Sequence, residues 1–264
     1  MPAIQYTPEL QASYSRLFDT CIINTQHYPE VNRLVKTINT NRPRYESVGN
    51  PLGIPWYFIG IVHGMECGHK LTSHLHNGDP LTARTVKVPA GRPKTGSPPF
   101  TWEFSATDAL VYDKMDQWKD WSIPGILFKL EGYNGFGYRR LAQPINSPYL
   151  WSYTNQYTKG KYVKDGVYSP TAVSKQCGAA AMLRRLVETQ SIDVNKTSRK
   201  DLILQLGTVV TYAPSKYVSK AEELQKLLNL EGAHLRVDGK AGKITSDAYR
   251  VLTGKFLPGD PRTA

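Results

Sequence analysis

Trp56-Tyr57-Phe58-Ile59-Gly60-Ile61-Val62-His63-Gly64-Met65-Glu66-Cys67-Gly68 is the most informative run in this chain. It follows Ile54-Pro55, and its length and placement predict a buried helix that ends at Glu66-Cys67-Gly68. The pattern puts a carboxyl at the C-terminal end of a hydrophobic helix. A helix C-terminus carries partial negative charge and apolar surroundings desolvate a carboxylate, so both favour the protonated acid. An acid kept protonated near neutral pH is what a glycosidase needs to protonate a leaving oxygen. The same carboxylate could instead close the chain end, or pair with Arg84 or Lys70.

Upstream, Leu10, Tyr14, Leu17, Phe18, Cys21 and Ile22 recur at helical spacing after Pro8. Val31, Leu34, Val35 and Ile38 repeat the pattern after Tyr28-Pro29. Helices are expected there, closed by Asn39-Thr40-Asn41 and Pro43, with a turn at Gly49-Asn50-Pro51. Downstream the character changes. Asn77-Gly78-Asp79-Pro80 is a strong turn signal, 82–88 leans to β alternation, and 89–99 is rich in Pro and Gly. A β-hairpin with a long irregular loop is expected over 72–100. Helical patterning returns at 105–118, with Ser105 and Thr107 as caps, and again at 125–131 and 174–187. The Gly- and Tyr-rich stretch 134–167 reads as a wall or loop.

Residues 191–200 are polar and read as a connection, while 201–213 is β-branched and ambiguous. Beyond Pro214-Ser215, Ala221, Leu224, Leu227 and Leu228 form a helical stripe. Asp238-Gly239 reads as a tight turn in which Gly supplies positive φ, and Thr245 stands where a cap is needed after Gly242. The chain is thus read as a mainly α domain with a small hairpin over 1–190, a connection over 191–213 and a small module over 214–264.

The 264 residues carry 33 Lys+Arg against 22 Asp+Glu, a formal charge of +11. With 40% hydrophobic and 21% charged residues, the chain can build a core and is not a disordered segment. No run of about 18 apolar residues suggests a membrane span, and residues 1–9 lack the basic-then-apolar pattern of a signal peptide. Cys21, Cys67 and Cys177 cannot all pair within one chain and match no zinc or disulfide framework, so they read as reduced, buried thiols. The charge favours polyanions: nucleic acid, an anionic membrane or a bacterial wall. Nine basic and six acidic residues lie in 214–264, which leaves +8 of the +11 to 1–213.

A helix ending in Glu66, then a hairpin carrying Asp79 and Thr85, resembles the lysozyme superfamily. The Asp-to-Thr interval is that of phage-type lysozymes, while the Glu-to-Asp interval is longer. His74-Leu75-His76-Asn77-Gly78-Asp79-Pro80-Leu81-Thr82, with Arg84-Thr85 and Pro89-Ala90-Gly91-Arg92-Pro93, resembles phage and prophage wall-lysis proteins, in which Ser often stands where Cys67 is. Leu130-Glu131-Gly132-Tyr133-Asn134-Gly135-Phe136-Gly137-Tyr138 is similar to the Tyr-Asn-x-Gly segment lining the cleft of lytic transglycosylases. The stretch 221–252 resembles the three-helix peptidoglycan-binding domain through Leu224-Gln225, Leu227-Leu228, Val237-Asp238-Gly239, Gly242, Thr245 and Ala248. It departs from that pattern at Val251-Leu252-Thr253-Gly254.

These resemblances imply a lysozyme-like α+β catalytic domain followed by a three-helix wall-binding module, as in an endolysin. They imply Glu66 as general acid, with Asp79 and Thr85 activating a water on the opposite face to give inversion. Alternatively Glu66 acts alone, giving the anhydro sugar of a lytic transglycosylase, or the same scaffold serves a chitinase. Glu131, Tyr133, Asn134, Gly135, Tyr138, Tyr149 and Trp151 are the expected substrate contacts, aromatic faces suiting sugar rings. The partner expected is peptidoglycan, bound by a monomer without cofactor, metal or nucleic acid. The protein is expected to stay in the host cytoplasm until released to the wall.

Two other classes compete. His63, Glu66, His69, His74 and His76 could form a zinc set of a peptidase or amidase, although no H-E-x-x-H spacing is present. A purely binding protein would also suit the charge, on the wall or on nucleic acid, yet no helix-turn-helix, zinc-finger or RNA-binding motif appears.

Overall fold

The computed structural model describes residues 4–164 and 166–263, with the backbone alone over 194–201. Residues 1–3 of the segment read for a signal peptide, and the side chains of 194–200 in the polar connection, lie outside the described residues. The chain divides into two units, Met1–Ile192 and Asp193–Ala264. In order, the first holds α1 (Pro8–Asp19), α2 (Tyr28–Thr40), α3 (Arg42–Leu52), α4 (Trp56–Cys67), α5 (Trp102–Tyr112), α6 (Ile123–Asn134), α7 (Pro148–Trp151), β1 (Lys161–Lys164), β2 (Val167–Ser169) and α8 (Ala179–Glu188). The second holds α9 (Val194–Val209), α10 (Ser219–Leu230) and α11 (Lys243–Thr253). The protein is mainly helical with one small antiparallel two-stranded sheet among the described residues.

The apolar run does form a helix, α4, buried from Tyr57 to His63. Gly68 ends it in the left-handed region, with its N–H on the Gly64 carbonyl and the His69 N–H on the His63 carbonyl, a C-terminal motif that suits glycine. Helices α2, α3 and α8 pack around α4. Gly60 permits a close approach to α2 and α3: a Cβ there would lie 2.7 Å from Ile38 and 3.0 Å from the Tyr45 ring. Tyr14, Tyr45, Phe58, Ile61, Trp102 and Trp151 are among the fully buried large side chains of this core. Local chemistry sets the helix starts. Thr7 caps α1 by accepting from the Leu10 N–H, Thr101 caps α5 by accepting from Phe104, and Ser122 caps α6 by accepting from Gly125.

Several expected boundaries shift. Gly49-Asn50-Pro51 is the last turn of α3 and not a turn between elements; the chain reverses at Gly53, where the Ile54 N–H returns to the Gly49 carbonyl. Neither Ser105 nor Thr107 caps a helix, because α5 begins three residues before Ser105, at Trp102. The largest correction concerns 72–100. This segment holds no strand, only an isolated bridge between Ser73 and Pro80. Burial does not alternate along it, since Thr85 is buried and Val86, Lys87 and Val88 are all exposed. No second strand faces it: the Val86 and Lys87 amides donate to the Asp79 side chain, and the Thr85 amide to the Arg92 carbonyl of its own loop. The hairpin of this protein lies instead in the stretch read as wall or loop, where Tyr162 pairs with Tyr168 and Gly166 takes positive φ.

In the second unit, Ile203, Val210, Leu224, Leu228, Tyr249 and Leu257 share one apolar core. The stretch 191–213, read as a connection, therefore supplies a helix and core residues to this unit, and three helices are reached only with α9. The Asp238-Gly239 turn forms with Gly239 at φ +67°. Gln225 holds it from α10: its Oε1 accepts from the Asp238 and Gly239 amides at 3.0 and 2.8 Å. Thr245 is not a cap. It lies within α11, buried, and its hydroxyl accepts from Gln225 Nε2 at 3.1 Å. No helix among the described residues is long and apolar enough to cross a membrane.

Candidate active site

Burial of α4 is interrupted after His63 and resumes at Cys67. Gly64 and Met65 are half-buried, and Glu66 emerges into a cleft of about 430 Å³. The desolvated pocket expected around Glu66 is thus half realised: the cleft wall is apolar at Leu75, Met115, Phe128 and Phe136, while the carboxylate itself is exposed. The Tyr149 hydroxyl, carried on α7, donates to Glu66 Oε1 at 2.6 Å. Burial, the Glu66 charge and this hydrogen bond hold the Tyr149 phenol well above its usual range, so it remains a donor. Tyr133, near the end of α6, lines the same cleft. Burial, Asp113 and Glu66 raise its phenol in the same direction.

Two ionic groups of the cleft escaped the sequence reading, Asp113 and Lys129. Asp113 follows α5 as its C-terminal cap residue, and Lys129 lies on α6. Desolvation raises the Asp113 carboxyl, with Glu66 adding to the shift and Lys129 opposing it. Desolvation likewise lowers Lys129, with Asp113 opposing. No local motif announces either residue. The only sequence signal was an acid at the end of an apolar helix, the same pattern that singled out Glu66.

Asp79 and Thr85 are not among the residues lining this cleft. Asp79 is buried, and its Oδ2 accepts from Val86 and Lys87 amides at 2.8 and 3.0 Å. Those two bonds hold its carboxyl below the usual range. Thr85 donates to the Pro89 carbonyl at 2.5 Å and accepts from the Arg92 amide at 2.9 Å. Both residues tie the 72–100 loop to itself.

The expected substrate contacts also divide. Tyr133 lines the Glu66 cleft, and Tyr149 holds Glu66 without being among the residues lining it. Asn134, on the other side of the same chain turn, lines a separate groove of about 380 Å³ with Gly137, Tyr138, Tyr162 and Lys164. The Tyr138 hydroxyl faces that groove's hairpin, accepting from the Tyr162 amide at 3.1 Å. Gly135 takes positive φ just after α6 and lines neither cavity. Glu131 and Trp151 are buried and present no face to a sugar. Glu131 accepts from the Tyr14 hydroxyl and, at 3.0 and 2.7 Å, from Arg139. In the second unit, Gln225, Leu235, Arg236, Asp238 and Lys240 line a groove of about 320 Å³.

The histidines do not converge. His63 bonds Tyr45 and the Lys70 carbonyl, His69 the Gly60 carbonyl, His74 Ser105 and the Ala83 carbonyl, and His76 Asp108. Among the described residues, no group of three or more His, Cys, Asp or Glu is placed to hold a metal ion. The three cysteines are free and buried, and burial pushes the Cys21 and Cys67 thiols up to about 11. Compared with known protein families, curated proteins and solved structures, the chain matches none.

Proposed function

We propose that this chain is a glycosidase that cleaves the β-1,4-linked amino-sugar backbone of peptidoglycan, in the manner of a phage or prophage endolysin. The observation that carries the reading is Glu66, at the mouth of an aromatic-walled cleft, its carboxylate oriented by the Tyr149 hydroxyl. In its protonated form Glu66 gives its proton to the glycosidic oxygen as the bond to the anomeric carbon breaks. Tyr133 and Phe136 supply apolar faces for the sugar rings. The formal charge of +11 favours adhesion to an anionic wall, and the groove of the second unit offers a separate place to hold wall polymer. Lytic transglycosylases and chitinases would use the same acid, and they differ in product or polymer.

The test is digestion of purified peptidoglycan by wild type and Glu66→Gln, with reducing-end and mass analysis of the muropeptides. Wild type is expected to release new glycan ends and Glu66→Gln to release almost none. Equal release by both would end the assignment. Chitin digested in parallel separates the polymers.

A further inference from the structure

Glycosidic hydrolysis by two carboxyl groups needs a partner for Glu66 on the other face of the sugar. Asp79 cannot fill that place, because its oxygen is committed to the Val86 and Lys87 amides and it stands outside the cleft lining. His76 lines the cleft, yet its Nε2 is held by Asp108 at 2.8 Å, and its Nδ1 is buried without a hydrogen-bond partner among the described residues. Asp113 lines the same cleft as Glu66, is exposed, and its carboxylate makes no hydrogen bond or ion pair among the described residues. A negative charge just past a helix C-terminus opposes the helix dipole, so Asp113 costs α5 stability where asparagine would not.

We propose that Asp113 is the second catalytic carboxylate, the base that activates the attacking water opposite Glu66. This rests on the reading of Glu66 as the acid. Water adds through its oxygen to the anomeric carbon and loses a proton to the Asp113 carboxylate. The bond from that carbon to the glycosidic oxygen breaks, its electron pair stays on the oxygen, and Glu66 protonates it. One water is consumed, the anomeric configuration inverts, and the two carboxyl groups return to their starting states by exchange with solvent. Lys129 lies on the wall beside Asp113, and its ammonium favours the charged, proton-accepting form. Glu66, His76 and Tyr133 are the other titratable groups facing this space.

The experiment follows a soluble peptidoglycan glycan strand with wild type, Glu66→Gln, Asp113→Asn and Asp113→Ala, reading kcat, KM, Tm and the first-formed anomer by NMR. For Asp113→Asn, kcat should fall about 10²- to 10⁴-fold with KM little changed, Tm equal to or above wild type, and the acid-side limb of the pH profile gone. Added azide should rescue Asp113→Ala and give the α-glycosyl azide, while wild type gives the α product first. Should Asp113→Asn fold poorly, the azide rescue still decides. Wild-type kcat in Asp113→Asn, or an anhydro sugar as the wild-type product, overturns the role of Asp113 and leaves Glu66 as acid if Glu66→Gln is inactive. Full activity in Glu66→Gln removes the underlying reading instead.

Discussion

Asp79 in the 72–100 loop and Asp113 at the end of α5 are acids of the same charge in opposite situations. Around Asp79 the chain supplies donors: two backbone amides, with the Lys87 ammonium 3.6 Å away. Around Asp113 it supplies apolar walls, a lysine without an ion-pair contact, and the charge of Glu66. The first environment lowers a carboxyl and the second raises it. A carboxylate whose lone pairs are occupied by its own backbone holds a loop in place. One left open in a partly desolvated cleft is free to meet a substrate. Glu66 sits between these cases, with one oxygen oriented by Tyr149 and the rest of its carboxylate exposed.

Substitutions can sharpen or break that contrast. The largest effect is expected at the open end: Glu66→Gln should lower kcat on peptidoglycan by about 10³-fold while leaving the Tm near wild type. A large fall in Tm would move Glu66 into the structural class. His63 belongs to the occupied class, with both ring nitrogens bonded inside the core. Its burial holds it down to about 4, against about 6.5 for a free imidazole. The unfolded chain takes the proton first. Stability held above about pH 6.5 is therefore lost as pH falls through 4, by up to about 3 kcal/mol. Thermal melts across that window should show a steeper decline for wild type than for His63→Gln, and parallel curves would disprove it.

Tyr149→Phe should reduce kcat by about tenfold, the value of one hydrogen bond to a charged group, with Tm nearly unchanged. Initial rates at fixed pH check this, and an unchanged kcat would show that Glu66 needs no orienting donor. Asp79→Asn is expected to do the least to turnover. It should lower Tm by roughly 2–4 °C, and kcat per folded molecule should fall far less than in Asp113→Asn. The reverse order for these two variants would invert the contrast and return Asp79 to the chemistry.

The parts of the fold that the sequence made legible are those written locally. The run from Trp56 and its stop at Gly68 predict α4 because burial and a left-handed glycine act over a few residues. Asp238-Gly239 predicts its turn for the same reason. The hairpin falls elsewhere because a β-leaning residue pattern fixes neither which side chains are buried nor whether a second strand is present. At 86–87 the partner is the Asp79 carboxylate; at 161–169 the partner is the chain itself. The 191–213 segment reads as a connection because 191–200 is polar and 201–213 is ambiguous, whereas Ile203 and Val210 are core residues against α10 and α11. Glu131 is expected at the sugar from the resemblance of its segment and Trp151 from its residue type, and neither distinguishes a cleft wall from a core.

What the sequence determined by itself, then, was a mainly helical chain with an acid at the end of its most apolar helix and a strong positive charge. Hydrophobic periodicity and net charge are local or summed quantities, so they survive without a fold. Tertiary structure decided which groups meet that acid. Tyr149 stands 83 residues from Glu66 and still donates to it, while Asp79, much nearer in sequence, turns to its own loop. A carboxylate's role depends on what surrounds it in space, through desolvation and available donors, and no spacing along the chain encodes that.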